Sequence, residues 1–599
     1  MNNHFSNYIS LGFAGKRAHD QLPKINKPLR ELFNQLTDKL QDCHIHFTSG
    51  LADGADQIAS SIFLDASKHK NRSLGAIMAF SREDYLKTIT DQAAFEDLYK
   101  QCTQILHLDG NYIEGQPGDE LRDQAYHQQG QVLGRICDVF IAVAPRTDDP
   151  GKKGSTISSL LAVLSLHKPV IFLNLEDHQF YLYQNLDEWM QNEKLPVSAA
   201  EIVSKLFPDH VIGQKPVLDK TESVVFFSLR KLALKAYDRW SGKRSKPASK
   251  PEDTGKTSLP IDESNNHLFK SIRSSQKKLD DIAQYFQLQY RGGYILNYFL
   301  ALIAIFLAVF SAVILMEKES FKAESVHFAL VCMGSIKILI ILAMVYNTKQ
   351  IRKKEYNKKA IDYRYAAERF RVNYFMSLIG IVRAPRPFLG NHSKNYFQAY
   401  RGEMIYQSKM SEALKHSSNI TLDKTRLTHV MDFILHDWLE NQLSYHTNEQ
   451  VRMTSVDKRL LKIPEKLNTL VLGIVIAEVL GAFLIEMLDL FQSSRPKEIF
   501  GIAGPILLAL TAFIPAIVTT LNSIHFQTEA HRLATRSSLM IAELKFQISK
   551  VKQVIKDHKK NKKGCSFLCV LDAVEETANV MTDEVAEWSL IYEKRVFDP

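Results

Sequence analysis

The chain has 599 residues, 45% of them hydrophobic and 24% charged, with a mean hydropathy of −0.16. That length is too great for one ordinary core, and the apolar residues gather in four blocks, which excludes both a purely soluble enzyme and a carrier embedded mainly in lipid. A formal net charge of +9 from 75 basic and 66 acidic side chains is mild, and no lysine/arginine run resembles a nucleic-acid-binding arm, so no nucleic-acid partner is expected.

The first residues, MNNHFSNYISLGFAGKR, lack a charged segment followed by an apolar one, which predicts no cleaved leader and a cytosolic start. From residue 8 to about 175, short apolar runs alternate with helical stretches. The runs are Tyr8 to Leu11, His44 to Thr48, Leu74 to Ala79, Ile105 to Leu108, Val139 to Ala144 and Pro169 to Asn174. This alternation predicts an α/β domain: a doubly wound, mostly parallel sheet with helices on both faces and ligands beyond the carboxyl ends of the strands.

Three glycine-bearing loops fall at those ends. Gly12-Phe13-Ala14-Gly15-Lys16-Arg17 follows the first strand, and Thr48 to Asp56 (TSGLADGAD) turns the second strand into a helix. Gly151 to Thr156 (GKKGST) follows the fifth strand and precedes another helix. Glycine lets backbone N–H groups approach an anion, and a helix N-terminus favours negative charge. The candidate binding residues are Gly12, Gly15, Lys16, Arg17, Ser49, Gly50, Gly54, Asp56, Lys153, Gly154, Ser155 and Thr156. Six cysteines give no disulfide framework, and the Cys565/Cys569 spacing does not fit a zinc knuckle, so no metal site is expected.

His178 to Ala236 carries helical patterns without a site, which closes a first domain at 1–236. Residues 237–262, rich in Ser, Pro, Lys and Gly, read as a flexible linker, and 263–599 as a helical membrane domain. Its predicted spans are Tyr294 to Met316, Val326 to Tyr346, Leu467 to Ile485 and Ile499 to Leu521. Basic residues crowd the outer flanks, Lys349, Arg352, Lys353 and Lys354 after span two and Lys458, Arg459, Lys462 and Lys466 before span three. The positive-inside rule therefore predicts a multi-pass protein of the inner membrane with both termini cytosolic.

Helical stalks are expected on that side. Tyr363, Ala367, Phe370 and Tyr374 form one apolar stripe; Leu533, Ser537, Met540, Leu544, Ile548, Val551 and Ile555 form another, close to a coiled-coil seam. The seam fits packing within one subunit or an oligomer interface equally well. Lys337 and Glu478 lie at similar depths inside spans two and three, where a charge costs about 2.5 to 3.5 kcal/mol, and are expected to face each other or to line a path between subunits.

GFAGKR, TSGLADGADQIAS and GKKGSTISSLLAVLSLHKPVIFLN resemble, in order and spacing, the SLOG superfamily of Rossmann-like nucleotide-sensing and nucleotide-cleaving domains, over about residues 5 to 180. DDIAQYFQLQYRGGY, YRYAAERFR and EVAEWSLIYEKR resemble SLATT-type membrane effectors of bacterial defence systems. The resemblance implies a ligand-gated membrane effector that acts in antiphage abortive infection. A nucleotide-derived messenger, of ADP-ribose type or a cyclic nucleotide, would bind the three loops and open a pore or disrupt the bilayer. It further implies a homo-oligomer, contact with membrane lipids and a messenger-synthesising enzyme encoded nearby. Where the lonely-guy phosphoribohydrolases of this superfamily have a catalytic glutamate, this chain has Ser159, so no catalytic residue is expected. The alternatives are a membrane-tethered nucleotide-cleaving enzyme, with Asp53 or Asp56 as the carboxylate, and a constitutive transporter.

Overall fold

The computed structural model describes residues 8–41, 43–65, 71–110, 120–191, 194–207, 218, 226–241, 266–316, 323–381, 401–489, 495–560 and 567–593. The expected linker beyond residue 241, residues 317–322 of the first short connection and 490–494 of the second lie outside the described residues.

The N-terminal elements are β1 (Tyr8–Gly15), α1 (Asn26–Lys39), β2 (His44–Ser49), α2 (Ala55–Asp65), β3 (Arg72–Met78), α3 (Arg82–Leu86), α4 (Gln92–Gln101), β4 (Cys102–His107), α5 (Glu120–Ile136), β5 (Val139–Ala144), α6 (Thr156–Ser165), β6 (Val170–Asn174), β7 (Phe180–Tyr183), α7 (Leu186–Gln191), α8 (Ala199–Leu206) and α9 (Phe227–Ser241). The C-terminal elements are α10 (His267–Met316), α11 (Ala323–Lys353), α12 (Tyr356–Ser377), α13 (Arg401–Ala413), β8 (Ser418–Thr421), α14 (Lys424–Phe433), α15 (Asn441–Asp489), α16 (Arg495–Thr528), α17 (Ala530–Lys559) and α18 (Phe567–Glu593); a π-helical stretch, Ile434–Glu440, joins α14 to α15.

One eight-stranded sheet runs in the order β7-β6-β5-β1-β2-β3-β4-β8, and every neighbouring pair is parallel except β6 and β7. The expected strands are all present, with boundaries shifted by a few residues. The alternation of strand side chains divides the interior in two. Ile9, Leu11, Phe13, Val139, Ile141 and Val143 enter one core, closed by the Leu29, Leu32, Phe33 and Leu36 stripe of α1. Tyr8, Phe140, Ala142 and Ala144 enter the other, which continues without a gap to Phe286, Tyr363, Trp438, Leu544 and Val574 of the C-terminal half.

β8 is the unexpected strand. It comes from the segment between spans two and three, yet it pairs in parallel with β4 through Gln104↔Ser418 and His107↔Thr421. Its burial alternates, with Ser418 and Ile420 inside. Leu422 N–H then donates to His107 O at 2.9 Å, and Leu268 N–H, at the start of α10, donates to Ser417 O at 3.2 Å.

The C-terminal half is mostly helical, and four of its helices are long and apolar enough to cross a membrane; their most apolar windows have mean hydropathies of 3.0, 2.5, 2.1 and 2.0. The four predicted spans lie within α10, α11, α15 and α16. α10, with 50 residues, is about 75 Å long, so more than half of it extends beyond a hydrocarbon layer of about 30 Å. Phe306, Leu339, Leu342, Leu472, Val479 and Ile506 are all at least half exposed, a surface suited to lipid and costly in water.

The two stalk stripes are buried within the chain. Tyr363, Ala367, Phe370 and Tyr374 of α12 and Met540, Leu544, Ile548, Val551 and Ile555 of α17 belong to the same continuous core. The helix expected through Ile351 is broken at Glu355, where φ is +48°, and the break after span four falls at Glu529, with φ +46°. Both glutamates turn the chain just beyond an apolar helix.

If β8 is an integral strand, Ile420→Ala should destabilise the whole chain by about 2–5 kcal/mol, the usual cost of emptying a buried isoleucine site. Thermal unfolding of the detergent-solubilised protein measures this; an unchanged midpoint would show that β8 contributes nothing to the fold.

Candidate functional site

Because β1, β2 and β5 are parallel neighbours, their carboxyl ends share one edge of the sheet. The first loop begins later than expected. β1 continues through Gly15 because Phe13 keeps the inward alternation and Gly15 still pairs with Val143. Gly12 is therefore a strand residue, and a Cβ there would lie 2.9 Å from Cys137 Cβ. Close packing accounts for a glycine at that position.

Asp56, in the first turn of α2, ties the first two loops together. Its Oδ1 accepts from Gly15 N–H at 2.9 Å and its Oδ2 from Gly50 N–H at 3.0 Å. Gly50 O accepts in turn from the Tyr85 hydroxyl at 2.7 Å. Ser49 is fully buried, with its Oγ 3.0 Å from Ser60 Oγ. Gly54 has φ +83°, and a Cβ on it would meet Arg17 O at 2.1 Å; a Cβ on Gly15 would meet Ala55 Cβ at 2.3 Å. These glycines let two backbones touch. Burial pushes the Asp56 carboxyl up to about 7, against the lowering effect of the Gly15 amide, the Arg17 charge and the Gly50 amide.

The third loop reaches the first through side chains. Lys16 Nζ donates to both oxygens of Asp148, at 2.7 and 2.6 Å, so this lysine is committed within the protein. The Arg17 guanidinium lies 4.5 Å above the Tyr126 ring of α5. Its Nη2 and the Tyr126 hydroxyl are both shielded from solvent without a hydrogen-bond partner. Gly154, at φ +74°, packs against Tyr126 from the other side, where a Cβ would come within 2.9 Å of Tyr126 Cβ and 2.7 Å of Asp123 O. Ser155 caps α6 by accepting from Ser158 N–H at 3.0 Å, and Thr156 opens the helix. Lys153 lies near His127, whose pKa is lowered by burial and by that lysine.

The three loops thus converge around Arg17 and Tyr126, beside the N-terminus of α6. An unpartnered guanidinium N–H, the Lys153 charge and the first-turn amides of α6 form a surface suited to an anion. Tyr85, Tyr126, His127 and Asp148 carry no sequence signal of their own. The acidic pair Asp148-Asp149, separated from GKKG by Pro150, is the only local hint.

Ser159 packs against α5. Its Oγ donates to Ser155 O at 3.2 Å, and a Cβ on Gly130 of α5 would lie 2.0 Å from that same oxygen. The position is closed by α5. Asp53 accepts from Thr90 N–H at 2.7 Å and Gln57 Nε2 at 3.3 Å, so both candidate carboxylates, Asp53 and Asp56, serve as acceptors for protein donors.

One set of contacts links α5 to the C-terminal half, and another joins α9 to α10 and α11. Arg135, at the far end of α5, pairs with Asp572 at 2.6 Å and Glu575 at 3.0 Å of α18. Arg230 of α9, fully buried, donates to Asn347 Oδ1 at 2.9 Å and Gln289 Oε1 at 2.6 Å at the feet of α11 and α10. Gly292 makes that approach possible, since a Cβ there would be 2.5 Å from Arg230 O.

Lys337 and Glu478 do not meet within one chain. Lys337 Nζ lies 3.4 Å from Ser311 Oγ of α10, and no ion pair joins it to Glu478. In this arrangement α10 packs on α11 and α16, and α15 packs on α16.

No model of a known protein family matches the chain, and no curated protein matches it. Fold and site geometry therefore define the class: an α/β domain with a mostly parallel sheet, joined to helices able to span a membrane.

Asp56→Asn places an NH2 group against one of two N–H donors and should cost about 1–3 kcal/mol. Because the folded pKa is raised from 3.8 to about 7, the contribution of Asp56 to stability is fully present below about pH 4 and is lost as pH rises through about 7. Wild-type stability should therefore fall across that window more steeply than that of Asp56→Asn; parallel pH profiles would contradict the buried clamp. Gly154→Ala should also destabilise the domain, because its Cβ has no room, and cannot serve as a neutral test of binding.

Proposed function

We propose that the chain is a ligand-gated membrane effector whose N-terminal domain is a doubly wound, Rossmann-like sensor of the SLOG type. A nucleotide-derived anion, of ADP-ribose type or a cyclic nucleotide, binds with its phosphates against Arg17, Lys153 and the N-terminus of α6. Its binding shifts α5, and the helices that carry the spans respond by opening a conductance or breaching the bilayer. On this reading the protein lies in the inner membrane with both termini cytosolic. It acts as a homo-oligomer in antiphage defence, with a messenger-synthesising partner.

The observation that carries the reading is the placement of α5. One end supplies Tyr126 and His127 to the loop convergence, and the other supplies Arg135 to the ion pairs with Asp572 and Glu575. A helix is stiff along its axis, so a shift at Tyr126 is carried to α18. α18 packs on α12, at the foot of span two. The polar positions Lys337 and Glu478 then belong between subunits, where a charge can find a partner or water.

The enzymatic alternative draws on one fact, the Asp56 carboxyl titrating near neutrality. Both of its oxygens accept backbone N–H bonds at the loop junction, which suits a clamp better than an acid or base. A constitutive transporter gains nothing from the loops.

The test uses full-length protein with ADP-ribose and cyclic AMP as probes. Binding without turnover is expected, weakened about 10- to 100-fold in Arg17→Gln through loss of charge-assisted hydrogen bonds. Arg135→Glu should keep binding but abolish ligand-dependent flux from proteoliposomes, and Glu575→Arg in the same chain should restore part of it. Base release from either nucleotide, or flux unchanged in Arg135→Glu, would overturn the reading.

A further inference from the structure

A cleft of about 720 Å³ opens between α10 and α11, within the size range of small-molecule sites and away from the glycine loops. It straddles the point where the apolar part of each helix gives way to its polar foot. Tyr294, Tyr298, Met344 and Val345 line its body, and Lys349, Arg352 and Lys353 its rim; among the described residues no acidic one lines it.

The floor is polar but already satisfied. Asn297 Nδ2 donates to Thr348 Oγ1 at 2.8 Å, and Asn347 Nδ2 donates to Asn297 Oδ1 at 2.7 Å, in the network that holds Arg230. Recognition therefore falls to the cations at the rim and the apolar wall below them. A soluble anion would use only the first, and a neutral hydrocarbon only the second.

We infer that this cleft binds an anionic phospholipid, its headgroup on Lys349, Arg352 and Lys353 and one acyl chain along Tyr298, Ala301 and Met344. The leaflet is the one on the side of the α/β domain, because α10 runs unbroken from its contact with Ser417 beside β8 to this cleft. Basic clefts between spanning helices select anionic headgroups by charge, and tyrosines at that depth match the interface between headgroups and tails. The inference rests on the helices spanning a membrane and is independent of gating.

Native mass spectrometry of the full-length protein, with phosphatidylglycerol and phosphatidylcholine as probes, tests it. Phosphatidylglycerol should be retained about tenfold more than phosphatidylcholine. Lys349→Gln with Arg352→Gln should remove the preference, and so should Ala301→Trp, which fills the apolar wall and leaves every charge in place. Lys458→Gln with Lys462→Gln, at the foot of span three, should leave it intact. Equal retention of the two lipids, equal loss in the span-three variant, or displacement of phosphatidylglycerol by millimolar inorganic phosphate would each overturn the inference. Alkaline carbonate washing separates the underlying reading: protein released from membranes contradicts the spans, whereas retained protein without a lipid preference contradicts only the cleft.

Discussion

One face of the sheet has no hydrophobic core to itself. Tyr8, Ile77, Leu106 and Phe140 are buried in the same continuous cluster as Phe286, Tyr363, Trp438 and Leu544, residues of helices in the C-terminal half. Each buried side chain of this size contributes about 1.5–3 kcal/mol relative to exposure, so separating the halves would expose a large apolar surface. β8 makes the same point with backbone. A strand from between two spanning helices closes the sheet edge that β4 would otherwise leave open.

This shared core decides what a ligand at the loops could do. Around Arg17 the protein is built by close contact: Asp56 holds two loops by their amides, and Gly15, Gly54 and Gly154 remove the side chains that would keep those loops apart. A small displacement there is not absorbed by slack packing. On the proposed reading it would pass to α5, and from α5 through the Arg135 ion pairs to α18. Separately, Arg230, buried among amide side chains of α10 and α11, fixes α9 against both helices.

Much of this was legible in the sequence, for identifiable reasons. Buried strands such as Val139 to Ala144 are continuous apolar runs, and the spans are long apolar windows, signals that survive without any neighbour. β8 was not legible: Ser418 to Thr421 is short, with Ile420 its one apolar residue, and its pairing with β4 depends on tertiary contacts alone. The breaks at Glu355 and Glu529 were equally hidden, because glutamate does not signal a left-handed turn. At the site, the glycines marked the right loops but for a mixed reason. Gly12 and Gly15 serve packing, whereas the aromatic floor under Arg17 comes from Tyr126, in a helix whose sequence gives no hint of it.

The central claim is that the α/β domain and the membrane-proximal helices open as one cooperative unit, joined at β8. Native-state hydrogen exchange on the full-length protein measures this directly, since strands in one unit share an opening free energy. The account predicts that the amides of Ser418–Thr421, of Cys102–His107 and of the first turns of α10 exchange with the same opening free energy and the same denaturant dependence. Exchange of Ser418–Thr421 at the rate of an unprotected loop, with Cys102–His107 still protected, would contradict it.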